Sequence, residues 1–149
     1  MRKQIVHALL AIALATECAR FATANEVVGE VDVVVNKSNK IGALSREEVR
    51  RVFMGERSSW PGGQHIAILM LGPDQPERTV VLREVFKMNE SDYTKYFLQA
   101  AFTGRVQAAP KEFSSAAQMK ARLAANPNAI GYLKKTDVDE SMNVLLKLP

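Results

Sequence analysis

The sequence predicts one α/β domain with a central, mostly parallel sheet flanked by helices. Two short, largely apolar runs, at residues 31–35 and 66–71, lack the alternation of half-exposed strands and are typical of strands covered on both faces. A helical pattern follows each run, so the order along the chain is strand, helix, strand, helix. This order is typical of layered folds in which helices pack on the faces of a sheet.

The N-terminal segment has the features of a secretory signal peptide. A basic start at residues 2–3 precedes an apolar run at residues 5–15, and small residues at 22–24 predict a cleavage site before Asn25. The alternative is an uncleaved membrane anchor, but the apolar run is shorter than the roughly 20 residues that a membrane span needs. We therefore expect a cleaved signal peptide and a periplasmic product.

The expected products are a signal peptide of residues 1–24 and one domain of residues 25–149. A length of about 125 residues is sufficient for one hydrophobic core. Cys18, the only cysteine, lies in the signal segment, so we expect no disulfide, thiolate metal site or cysteine nucleophile in the domain. Lipid anchoring is not expected, because Glu17 stands where a lipoprotein cleavage needs a small residue.

The charge of the expected domain is nearly balanced. The signal segment holds three of the 20 basic residues and one of the 16 acidic residues, which leaves 17 and 15 and a net charge of +2. No basic run is longer than two residues, so nucleic acid is not an expected partner. No second apolar segment has the length of a membrane span, so we expect none after signal cleavage.

The best defined element is a helix over residues 45–54. Ser45 and Glu48 have capping-box spacing, so each side chain can accept a hydrogen bond from the backbone N–H of the other. Gly55 is suited to the left-handed conformation that ends a helix, and the turn that follows contains Trp60. The face predicted to pack on the sheet consists of Val49, Val52 and Phe53.

The other elements follow from apolar periodicity and from residues that start or stop helices. Further helices are predicted at residues 79–86, from about 89 or 91 to 101, and from 114 or 115 to 125. Short strands are predicted at residues 129–132 and 144–148. Turns or irregular segments are predicted at residues 36–40, 57–64, 72–77 and 106–113.

Six segments carry a resemblance to a known family. They are VVVNKSN at 33–39, the helix block at 44–55, WPGG at 60–63, LREVF at 82–86, FTGR at 102–105 and NPNAIGY at 126–132. In this order they resemble the substrate-binding proteins of phosphate ABC transporters, in particular their short single-domain relatives. The resemblance implies a periplasmic-binding-protein-like single lobe that binds phosphate or another small oxyanion without a cofactor. Its implied partners are an ABC transporter permease or another periplasmic protein.

The sequence departs from that family in the anion-binding loops. Full-length members have two lobes that close over the anion, and this chain has the length of little more than one. The Thr-Gly-Ala-Gly-Ser type loop of the first lobe is absent. The second loop, of the Ser-Asp-Gly-Ser-Gly-Thr type, corresponds to residues 72–79, which keep only Asp74, Arg78 and Thr79. The resemblance therefore implies weak binding unless a dimer or a partner completes the site.

Arg78 and Thr79 are the first candidates for an anion site. Both are placed at the start of the predicted helix over residues 79–86, where unpaired N–H groups and the helix dipole attract anions. An arginine can also hold two oxygens of an oxyanion at once. The alternative is that Thr79 is an ordinary helix cap and that Arg78 is a solvated neighbour of Glu77.

Asn36 and Ser38 are the second pair of candidate ligand groups. They follow the first strand and are expected to face the same crevice as Arg78, because ligands bind at strand ends in open α/β sheets. Their amide and hydroxyl groups would be neutral donors to an oxyanion. The alternative is that they make the local turn hydrogen bonds common for asparagine and serine.

Catalytic chemistry has little support in the sequence. His65 is the only histidine of the expected domain, so neither a nucleophile–base pair nor a zinc site is expected. Asp137, Asp139 and Glu140 form an acidic cluster, for which a solvated turn is favoured over a cation site. We therefore expect no enzymatic activity, no metal and no cofactor.

Two functions remain open from the sequence. The first is an exported solute-binding-type protein that recognises phosphate or a related oxyanion in connection with ABC transport. The second is an exported protein-interaction module that keeps the fold without binding a ligand. The missing lobe and the missing glycine-rich loop favour the second function, while the preserved order of the six segments favours the first.

Overall fold

The structure is a computed structural model and describes residues 29–106 and 109–149; the predicted signal peptide lies outside these residues. The strands are β1 (Val31–Asn36), β2 (Ala67–Leu71), β3 (Lys111–Phe113), β4 (Ala129–Lys134) and β5 (Met142–Leu148). The helices are α1 (Arg46–Phe53), α2 (Pro76–Val81) with a π-helical turn (Leu82–Phe86) after it, α3 (Glu90–Phe102) and α4 (Ala116–Ala125). Within the described residues, none of the helices has the length and hydrophobicity to cross a membrane.

The five strands form one sheet in the order β3-β2-β4-β1-β5. β2 pairs in parallel with β3 and β4, whereas β1 pairs antiparallel with β4 and β5. Four of the five strands therefore run in one direction and β1 runs in the other. The prediction of a mostly parallel sheet flanked by helices is confirmed. β1 and β2 are not neighbours in the sheet, because β4 lies between them.

The first five residues of β1 are buried, as predicted for a strand covered on both faces. One of them is Asp32, which is 3% exposed and whose Oδ1 atom has no hydrogen-bond partner in the described structure. Burial raises the pKa of the Asp32 carboxyl, and the charges of Lys147 and Lys135 oppose this rise.

The Asp32→Asn substitution removes this buried charge with little change of shape. A carboxyl with a higher pKa in the folded than in the unfolded protein binds its proton more tightly when folded, so folding stability falls as the pH rises through that range. We expect wild-type protein to lose stability relative to D32N as the pH rises above about 3.9, the ordinary pKa of aspartate. Urea denaturation across pH measures the difference. Parallel pH profiles for the two proteins would contradict a charge penalty at Asp32.

The capping box that the sequence predicts at the start of α1 is present. The backbone N–H of Ser45 donates to Glu48 Oε2 over 2.7 Å, and the N–H of Glu48 donates to Ser45 Oγ over 3.2 Å. The bonds from the Ser45 backbone and side chain lower the pKa of Glu48. After the helix, Gly55 has a φ of 77°, the left-handed conformation expected at a helix end.

α2 begins three residues earlier than the predicted start at residue 79. Its first residue is Pro76, whose fixed φ suits the first turn of a helix, and Gln75 before it makes no side-chain cap. Thr79 therefore lies in the second turn and is not the helix cap. This corrects the predicted position of Thr79 at an anion-attracting helix start.

Aromatic rings and a glycine define how helices pack on the sheet. The ring centroids of Phe53 on α1 and Phe86 lie 6.0 Å apart in an edge-to-face arrangement, and Phe53 also lies 6.3 Å from Tyr132 on β4. α4 approaches β4 at Gly131, where an added Cβ would lie 3.0 Å from the Sδ atom of Met119. α1 and α4 thus hold the central strand β4 by different means.

Candidate functional site

Arg78 forms the centre of a buried hydrogen-bond cluster at the carboxyl end of β2. Its side chain is 2% exposed. The Nη1 atom donates to the carbonyl of Leu71 and to Glu112 Oε1, both over 2.6 Å. Nε and Nη2 donate to the two carboxylate oxygens of Glu90 over 2.9 and 2.5 Å. The guanidinium carbon also lies 4.7 Å from the ring centroid of Tyr93.

These contacts make Arg78 a junction between four elements. Its own helix α2 is linked to the end of β2 through Leu71, to α3 through Glu90 and to β3 through Glu112. Burial by itself lowers the pKa of Arg78, but the hydrogen bonds to Glu90 and Glu112 outweigh it and hold the pKa above its ordinary value. The arginine is therefore permanently charged and paired.

The cluster does not offer Arg78 to an anion. Four of its five N–H groups already have partners. Together with Glu90 and Glu112 it carries a net charge of −1, which repels an oxyanion. The sequence predicted an accessible Arg78 at a helix start. The structure corrects this prediction, because the side chain is buried and forms ion pairs with Glu90 and Glu112. Thr79 is exposed on α2 and does not take part in this cluster.

Glu77, the residue before Arg78, is also buried. It is 3% exposed, and its Oε2 atom has no hydrogen-bond partner in the described structure. The Oε1 atom lies 3.7 Å from Lys134 Nζ at the end of β4. The alternative of a solvated Arg78 beside Glu77 is wrong, because both side chains are buried.

Asn36 and Ser38 form a hydrogen-bonded turn after β1. The Nδ2 atom of Asn36 donates to the carbonyls of Leu123 and Ala124 over 3.0 and 2.7 Å, which satisfies the last turn of α4. Its Oδ1 atom accepts from the backbone N–H and the hydroxyl of Ser38 over 2.9 and 2.7 Å. These are the local turn hydrogen bonds that the sequence left open as the alternative.

The two predicted pairs lie at opposite ends of the sheet. Because β1 runs against β4, the residues after β1 lie beside the start of β4, where Val35 pairs with Ile130. β2 runs with β4, so Arg78 and Thr79 lie beyond the carboxyl ends of these strands. The expectation that Asn36 and Ser38 share a crevice with Arg78 and Thr79 is therefore wrong.

Three of the family-like segments meet around a groove of about 430 Å³ at the start of β4. Asn39 Nδ2 donates to the carbonyl of Pro127 over 3.0 Å, and Trp60 Nε1 donates to the carbonyl of Asn128 over 3.2 Å. Trp60 is only 5% exposed. These side chains connect neighbouring loops by hydrogen bonds, which gives them a structural role at the groove.

The acidic segment near the C-terminus is tied down by protein groups. Asp139 Oδ1 accepts from the hydroxyl of Ser141 over 2.5 Å, and its Oδ2 lies 2.9 Å from Lys120 Nζ. These bonds lower the pKa of Asp139, with the Ser141 hydroxyl as the first cause. Among residues 29–106 and 109–149, no group of three or more potential metal ligands comes together.

Sequence reasoning missed the partners of Arg78. Glu90 and Glu112 lie 12 and 34 residues away along the chain, so no local pattern links them to the arginine.

The fold is similar to that of phosphate-transport receptors. A phosphate ABC transporter substrate-binding protein of Clostridium perfringens, solved with bound phosphate, aligns with a TM-score of 0.64 at 14% identity over 79% of this chain. An ABC-type phosphate transport receptor of Vibrio cholerae aligns with a TM-score of 0.55 at 19% identity over 79% of the chain. PstS from Borrelia burgdorferi aligns with a TM-score of 0.59 at 12% identity over 78% of the chain. The chain matches no family model and no curated protein.

The predicted resemblance is thus confirmed at the level of the fold. The chain spans less than half of each of these structures, between 45% and 47% of their lengths, which agrees with a single periplasmic-binding-protein-like lobe. At 12–19% identity, the likeness carries the fold and not the ligand-binding residues. The neighbours are transport binding proteins and not enzymes.

Proposed function

We propose that the protein is an exported solute-binding-type protein that recognises phosphate or a related oxyanion in connection with ABC transport. The observation that supports this proposal is the fold, which matches one lobe of several phosphate-transport receptors over about four-fifths of the chain. The N-terminal signal peptide and periplasmic location are part of the proposal. N-terminal sequencing of the exported protein, with cleavage expected before Asn25, tests them.

The proposal includes weak binding. Small-molecule sites enclose most of the ligand surface, and a single lobe leaves one side of an anion in water. We expect a Kd on the order of 1 mM, which corresponds to about −4 kcal/mol, unless a second copy or a partner completes the site. Binding by Arg78, Thr79, Ser38 and Asn36 stays a prediction, and the contacts of Arg78 and Asn36 within the protein count against it.

Isothermal titration calorimetry of the purified full chain with sodium phosphate and sodium sulfate tests the function. Sodium chloride at equal ionic strength is the control for general salt effects. The proposal predicts saturable heat with at least one oxyanion in the low millimolar range. Heats that never exceed the chloride control at any concentration up to about ten times the expected Kd would contradict the function.

A second candidate function is a protein-interaction module without a ligand. The observation that favours it is an exposed apolar pair on α3, where Leu98 and Phe102 are 62% and 88% exposed and lie one turn apart. This function predicts a protein that copurifies with the wild-type chain and is lost from a Leu98→Ser, Phe102→Ser variant. Gln99→Ser, an exposed change on the same helix, is the matched control and should retain it.

A further inference from the structure

A cleft with a positive charge lies beside the first half of β2, and its lining includes none of Arg78, Glu90 and Glu112. It encloses about 340 Å³. We call this cavity the basic cleft. Its polar lining residues are Ser58, His65, Arg105, Lys111 and Arg122. None of the 14 described residues that line it is an aspartate or a glutamate.

The three full charges of the basic cleft come from three different elements. Arg105 follows α3, Lys111 is the first residue of β3, and Arg122 is on α4. The chain thus brings together cations that are separated in the sequence and that no basic run announces. With histidine counted as neutral, the formal charge of the lining is +3, and like charges that line one cleft repel one another.

These cations lack the internal partners that Arg78 has. In the part of the chain that the structure describes, Arg105 and Arg122 take part in no ion pair within 4 Å. Lys111 has a weak contact, with its Nζ atom 5.5 Å from the ring centroid of Phe113. By contrast, the buried Arg78 pairs with two carboxylates, whereas the arginines of the cleft pair with none of the carboxylates that the structure describes.

One side of the cleft is formed by the first residues of β2. Ala67 and Ile68 pair with β4 on one side, but pairing with β3 on the other side begins only at Leu69. The N–H of Ala67 donates to the carbonyl of Asn128 over 3.1 Å, toward β4. Among the described residues, no β3 residue pairs with Ala67 or Ile68, and both contribute to the lining of the cleft.

The rest of the lining is apolar. Ile66 and Val106 are buried at 3% and 9% exposure, and Ile68 and Pro110 also contribute to the lining. Cavities for small molecules are about 300–1000 Å³ in volume and mostly apolar, with a few polar groups that orient the ligand. The basic cleft has this composition and this size, and it is larger than an inorganic oxyanion requires.

We propose that the basic cleft binds a small organic anion, an apolar group that carries a phosphate or a carboxylate, with Arg105 and Arg122 contacting the charged end. The apolar body lies against Ile66 and Val106. This inference rests on the proposed function, since the recognised group is still an oxyanion, and it names the ligand class and the residues. Arginine is suited to this role because its planar N–H groups match the oxygens of phosphate and carboxylate.

Calorimetry with phenyl phosphate and with inorganic phosphate tests the inference on the full chain. We expect phenyl phosphate to bind at least several-fold more tightly, because its ring removes apolar surface of the cleft from water. Arg105→Ala and Arg122→Ala should each weaken it about five- to tenfold, the effect of losing one partly exposed charged hydrogen bond. Arg51→Ala, an exposed change on α1, is the matched control and should bind as wild type does.

The outcomes separate this inference from the proposed function. Phosphate or phenyl phosphate that binds equally to wild type, R105A and R122A would overturn the basic cleft as the site and leave the solute-binding function standing. A wild-type chain that binds neither compound would overturn both. Lys111→Glu provides a second variant, since reversing an exposed charge on β3 should abolish binding without the loss of a buried contact.

Discussion

Replacing Arg78 with alanine is expected to destabilise the protein strongly. Removal of one partner from a buried ion pair typically costs 3–5 kcal/mol, because the remaining charges lose their compensation. Glu90 and Glu112 are 41% and 48% exposed and recover some hydration, so we expect the lower end, about 3 kcal/mol. For a domain of this size that corresponds to a fall in Tm of about 10 °C. Thermal denaturation followed by circular dichroism measures it.

The control for this prediction is Arg83→Ala. Arg83 is 62% exposed and pairs with the neighbouring Glu84, so its loss should change the Tm by no more than about 2 °C. An R78A protein with a wild-type Tm and no oxyanion binding would contradict the structural role and restore the ligand role that the sequence predicted.

Replacing Phe53 with alanine is expected to have an effect of similar or larger size. Phe53 is fully buried between Phe86 and Tyr132, and large-to-small changes of a buried phenylalanine cost about 3–5 kcal/mol through lost burial and the cavity left behind. Urea denaturation should show a lower midpoint with an unchanged slope.

The same chain offers a matched control for Phe53. Phe102 is 88% exposed, so Phe102→Ala should alter the free energy of unfolding by less than about 0.5 kcal/mol. Equal losses from the two phenylalanine substitutions would show that α1 is not packed on the sheet as described.

Local features of the fold were predictable because neighbouring residues determine them. The capping box of Ser45 and Glu48 requires only a spacing of three residues, and the apolar run at residues 66–71 is sufficient to indicate a buried strand. The earlier start of α2 was also predictable from the sequence, since proline is common in the first turn of a helix and Pro76 occupies that position. β3 was not predicted because the strand has only three residues, two of which are exposed, so it has no apolar run.

The features that determine the site were not predictable, because they depend on pairing across long sequence distances. The reversed direction of β1 follows from its pairing with β4, whose residues lie about 100 positions further along the chain. That single reversal separates Asn36 and Ser38 from Arg78 and Thr79. The burial of Arg78 likewise depends on Glu112, and the basic cleft depends on the approach of Arg105, Lys111 and Arg122.

We propose that this protein uses Arg78 for stability and that anion recognition belongs to the basic cleft. Backbone amide chemical shifts recorded by NMR during a phenyl phosphate titration test it most directly, since they report the position of the ligand without any substitution. We expect saturable shifts at Ala67, Ile68, Arg105 and Arg122 and unchanged signals at residues 72–79. Shifts confined to residues 72–79 would contradict it.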